Sequence, residues 1–132
     1  MKRVTLCTCL ILCAVFGFSD SNPNRTDFVG TWYDVNLDNK VDLAHSLSIS
    51  DHEEGFLVKY VIDGKASIGI VHFSTQQRGL IGEIVGYGKV VIRKVKSNGS
   101  LSMDLLNDFE DVTVGFFQKR EVLEKLLGKK LP

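Results

Sequence analysis

From Phe28 onward, short apolar runs recur at about ten-residue spacing with turn residues between them, the pattern of an all-β sandwich or barrel. Eight segments follow from it: 28–36, 46–50, 56–62, 67–73, 80–85, 89–95, 101–106 and 112–117. In the third, Phe56, Val58, Tyr60 and Ile62 alternate with Leu57, Lys59 and Val61, so one face is apolar. Asp63-Gly64 then supplies the pair of positive-φ residues that a type I′ hairpin requires, and Asn98-Gly99 predicts a second such turn. Only the tail departs from a period of two. Val122, Leu123, Leu126 and Leu127 share a helical face, Glu121 and Lys125 stand four apart, and Gly128 stops the run, which predicts a short helix over 120–128.

Eight meandering antiparallel strands with tight turns can remove their edges by closing into an up-and-down barrel. At that strand number the interior is either filled by side chains or holds one small ligand. Gly69, Gly82, Gly86 and Gly115 lie within or beside strands and are read as bends where the sheet curls.

The N-terminus changes which residues are available to fold. Lys2 and Arg3 precede an uncharged apolar run over 4–18 and the small polar cluster Ser19-Asp20-Ser21, the three parts of a secretory signal peptide spanning 1–19. The apolar run is shorter than the ~20 residues of a membrane-spanning helix. The expected mature chain, 20–132, is one small domain, secreted and with no stable membrane anchor. Cys7, Cys9 and Cys13 all lie in the leader, so a barrel without disulfides is expected. Asn24-Arg25-Thr26 and Asn98-Gly99-Ser100 are sequons, expected glycan acceptors in a eukaryotic secretory pathway. Removing Lys2 and Arg3 from 16 basic residues leaves 14 against 16 acidic, a net of −2, and no basic patch points to nucleic acid.

Phe28-Val29-Gly30-Thr31-Trp32-Tyr33 resembles the first motif of the lipocalins, a Gly-x-Trp-Tyr on the first strand of an eight-stranded secreted barrel. Avidin-like barrels and intracellular fatty-acid-binding proteins begin similarly. The resemblance implies that Trp32 plugs one end of the barrel as an apolar floor and that its N–H finds a partner. Asn107-Asp108-Phe109 resembles the family's second motif, Thr-Asp-Tyr, in a loop at that same closed end. The third motif, an arginine stacked over the tryptophan, falls to Arg120, although in the family a further strand intervenes before it. The second motif also belongs between the sixth and seventh strands, whereas here it follows the seventh.

No Gly-x-Ser-x-Gly elbow, mature cysteine or phosphate-cradling loop is present, and His45, His52 and His72 have no metal-ligand spacing. The sequence therefore reads as a non-enzyme with no cofactor and no metal, with Asp51-His52-Glu53-Glu54 a solvated hairpin tip. The family implies a carrier for a small hydrophobic molecule, its wall read by alternation as Trp32, Asp34, Phe56, Val58, Tyr60, Ile68, Ile70, Ile84, Ile92, Leu101, Met103, Val114 and Phe116. The competing reading is a filled barrel acting through its loops, 37–45 or 74–78, on a protein receptor or a second copy. A third is a shortened lipocalin lacking its last strand, with an edge beside 112–117 open to association.

Overall fold

The computed structural model describes residues 27–35, 40–107 and 111–132. Eight strands run β1 (Gly30–Val35), β2 (Val41–His52), β3 (Gly55–Ile62), β4 (Lys65–Ser74), β5 (Gly79–Ile84), β6 (Gly88–Lys94), β7 (Leu101–Leu105) and β8 (Val112–Lys119), followed by helix α1 (Arg120–Leu127). Each pairs antiparallel with the next, and β1 pairs with β8, closing the barrel. The all-β barrel and its terminal helix agree with the sequence pattern. No last strand is needed to close the sheet, because β8 already fills that place. The expected signal peptide and the Asn24 sequon lie outside the described residues.

Up-and-down connectivity divides the connections between two ends. Those of β1–β2, β3–β4, β5–β6 and β7–β8 gather at one end, and the others lie at the end where Phe28 and Trp32 enter. We call these the ringed end and the floor. At Asp63-Gly64 both residues have positive φ, +50° and +83°, as the type I′ turn demands. The Asn98-Gly99 expectation is corrected, since only Gly99 has positive φ and the turn is longer. Val95 N–H donates to Ser100 O at 2.8 Å and Gly99 N–H to Val95 O at 2.9 Å, while exposed Asn98 accepts from the Ser100 amide and hydroxyl.

The interior follows from register, because residues directly paired across strands share a face. The two-residue β3–β4 turn pairs Phe56 with Val71, Val58 with Gly69 and Tyr60 with Ser67. Gly69, Val71 and Phe73 therefore point inward with Phe56, Val58 and Tyr60. Gly69 and Gly82 leave no room for a side chain between β4 and β5: a β-carbon would stand 2.1 Å from Glu83 O at Gly69 and 2.3 Å from Ile70 O at Gly82. At these two positions glycine is required by the close approach of the neighbouring backbone.

The core is continuous from floor to middle. Phe28, Trp32, Phe56, Leu80, Ile92, Leu101 and Phe117 are among the fully buried side chains, and the Phe28 ring meets Phe56 at 6.3 Å and Phe73 at 6.5 Å. The Trp32 indole N–H donates to Phe28 O at 3.0 Å, so the buried ring keeps its polar atom satisfied. Helix α1 packs on the outside against β1 and β8, burying Leu123 and leaving Val122, Leu126 and Leu127 exposed.

Candidate functional site at the ringed end

The polar site inside the barrel is built by a break in register. β1 pairs regularly with β2 from Gly30↔Ile49 to Tyr33↔Ser46, and the next pair is Asp34↔Asp42. Residues 43–45 of β2 are thus skipped, and the displaced segment brings His45 beside Asp34 while His45 still pairs with Ile62 of β3. His45 Nδ1 hydrogen-bonds Asp34 Oδ2, and its Nε2 lies 2.6 Å from the Tyr60 hydroxyl. The neutral tautomer that satisfies all three has Nδ1–H donating to the carboxylate and the phenol O–H donating to Nε2.

Aromatic rings hold this relay. The imidazole lies 5.2 Å from the rings of both Tyr60 and Phe117, and Tyr87 from the β5–β6 turn meets Tyr60 edge-on at 5.1 Å. Burial, then the neighbouring Tyr87, then Asp34 push the Tyr60 phenol up to about 12, so it keeps its proton and remains a donor. Asp34 and His45 are 19% and 14% exposed at the side chain, which leaves the relay reachable from the ringed end. The Asp34 and Asp42 carboxylates and His45 bring donor atoms within 4.8 Å of one another.

The expected wall is placed as follows. Trp32, Phe56, Val58, Tyr60, Ile84, Ile92, Leu101 and Met103 are buried in the core, Val114 packs at its margin, and Asp34 joins the relay. Ile68 and Phe116 are corrected. They point outward, 51% and 44% exposed, and Ile70 shares the outer face of β4 with Ile68 and His72. In β8 the cause is a bulge: Met103 pairs with Gly115 and Asp104 with Thr113, so Val114 is an extra residue and the alternation inverts, bringing Phe117 rather than Phe116 inside. His45, expected in a loop, lies in a strand and is the central member of the site.

The motif residues divide similarly. Gly30 and Trp32 occupy the start of β1 at the floor, as the resemblance implies. Arg120 does not cover the indole: it opens α1 and pairs with Glu121 at the surface, while Lys119 Nζ stands over the Trp32 ring at 5.7 Å. The β7–β8 connection leaves from the ringed end, so Asn107 is opposite the floor rather than beside it, and Asp108 and Phe109 lie outside the described residues. Comparison with protein-family models, curated proteins and solved structures returned no match to this chain.

Proposed function

We propose that the chain is a secreted, lipocalin-like binding protein that carries a small, mostly apolar molecule at the ringed end of the barrel and is not an enzyme. One observation carries the reading: among the described residues, a closed barrel with an apolar interior holds an oriented polar relay, Asp34–His45–Tyr60, where the interior meets solvent. Ligand sites are largely apolar with few placed polar groups. The floor half is filled by Phe28, Trp32, Phe56 and Phe73, so the ligand sits above it, with a hydroxyl or carbonyl against the relay and its apolar part toward Ile62, Leu105 and Val114, which pack at the margin of the core. The basic and apolar leader supports secretion. Among the described residues no helix is long and apolar enough to cross a membrane.

The filled floor also favours a second reading, a solid barrel whose connections touch another protein. Titration with retinoid, fatty-acid and steroid ligands, followed by thermal melting and by the backbone amide spectrum, separates the two. A melting temperature that climbs with ligand concentration, with shifts confined to Asp34, His45, Tyr60 and Tyr87, is the carrier's outcome. His45→Gln is then expected to weaken binding about tenfold, the loss of one hydrogen bond to a buried polar group. Cooperative melting that no ligand moves would overturn the carrier reading and direct attention to the loops.

A further inference from the structure

We propose that Asp34, Asp42 and His45 form a site for a divalent transition metal, best matched by Zn2+, at the rim of the ringed end. This does not depend on the small-molecule reading. The β1–β2 register sets Asp34 directly opposite Asp42, and the skipped residues 43–45 turn the imidazole onto the same carboxylates, so that three donor atoms lie within 4.8 Å. Two carboxylates facing each other across a strand pair repel, and a cation between them removes the cost.

The donor set favours a transition metal over Ca2+. One imidazole nitrogen with two carboxylates suits Zn2+, which takes three protein ligands and a water in open sites, whereas Ca2+ seeks six to eight oxygens. Bonds of ~2.0–2.1 Å about a tetrahedron place donors roughly 3.3 Å apart. The carboxylates close toward that spacing by side-chain rotation, and the Nδ1–Oδ2 contact opens.

Two of the ligands are already held. Asp42 Oδ1 accepts the Ala44 amide at 3.0 Å, which orients the carboxylate. The far nitrogen of His45 rests on the Tyr60 hydroxyl, which orients the ring; a metal-bound histidine holds its ring by donating from that nitrogen to an acceptor. Metal at Nδ1 displaces the proton shared with Asp34. That proton moves to Nε2, and the phenol oxygen turns from donor to acceptor, so no net charge is stranded. Gly115 of β8 presents no side chain here, and a β-carbon would come within 3.7 Å of Asp34 Oδ1. Asp42 is exposed, leaving the fourth position to water.

The test is calorimetric titration of the metal-stripped protein with ZnCl2, run beside CaCl2 and MgCl2, on the parent, Asp42→Asn, and a His52→Asn/His72→Asn double variant. The expected result is one Zn2+ per chain, weakened at least tenfold by Asp42→Asn, unchanged by the double variant, and not reproduced by Ca2+ or Mg2+. Asp42→Asn alters an exposed group and removes the repulsion with Asp34, so a metal-free melting temperature equal to or above the parent's shows that the variant folds. Imidazole 15N spectra are expected to show Nδ1 metallated and Nε2 protonated on His45. Absence of binding, binding indifferent to Asp42→Asn, or binding abolished by the double variant would each overturn the proposal.

Discussion

Tyr60 shows how one hydroxyl links the core to the ringed end. Its ring is buried against Phe117 and His45, and that burial pushes its phenol up to about 12 from the 10.0 of an unperturbed tyrosine. The folded group holds its proton after the unfolded one has lost it. Between about pH 10 and 12 the unfolded chain therefore binds fewer protons, and stability falls as pH rises through that window, by up to about 2–3 kcal/mol. Urea unfolding in EDTA at stepped alkaline pH is expected to show this slope in the parent and a shallower one in Tyr60→Phe. Strand parity from Trp32 reaches Asp34, and parity within 56–62 reaches Tyr60. His45 was not legible, because its place depends on a three-residue break in register that no local pattern announces.

At the scale of elements, strand existence was legible and facing was only partly so. The Asp63-Gly64 turn contains the register of β3 against β4, since a two-residue hairpin pairs Ile62 with Lys65 and hence Tyr60 with Ser67. Hydrophobicity points the other way, to Ile68 and Ile70, and register prevails because the backbone ladder leaves no choice of face. The β8 bulge has no such turn to predict it, so the exchange of Phe116 for Phe117 came only from the structure. Where strands crowd, small side chains are obligatory. Gly82→Ala would drive a β-carbon to 2.3 Å from the Ile70 carbonyl, and a loss of about 3 kcal/mol in denaturant unfolding is expected. Full stability in that variant would mean that β4 and β5 are less tightly coiled than described.

Across the whole molecule, the barrel closes at its least extensive seam. β1 and β8 share three pairs in register, Trp32↔Lys119, Tyr33↔Gln118 and Asp34↔Phe117. Helix α1 lies over this seam, with Leu123 buried, the Leu131 amide donating to Glu124 Oε2 at 2.8 Å, and the Tyr33 hydroxyl donating to Pro132 O. The helix itself was legible from Val122, Leu123, Leu126, Leu127 and the Gly128 stop, but its place over the seam was not, because that depends on which two strands meet beneath it. Leu123→Ala is expected to cost about 2–3 kcal/mol. Amide exchange should show that loss first in β1 and β8, and uniform acceleration around the barrel would count against a strap.

That seam also sets the order in which the barrel can form. Every other strand pair joins neighbours in sequence, whereas β1 must wait for β8, the most distant strand in the chain. Its loop-closure entropy is the largest in the fold, and the slow step of folding is expected to be this last zip. Until then Trp32 and Phe28 have no completed floor to cover. On that expectation β1 and β8 are unpaired edges, open to misassembly, until they meet, and α1, which packs on both, then holds the seam shut.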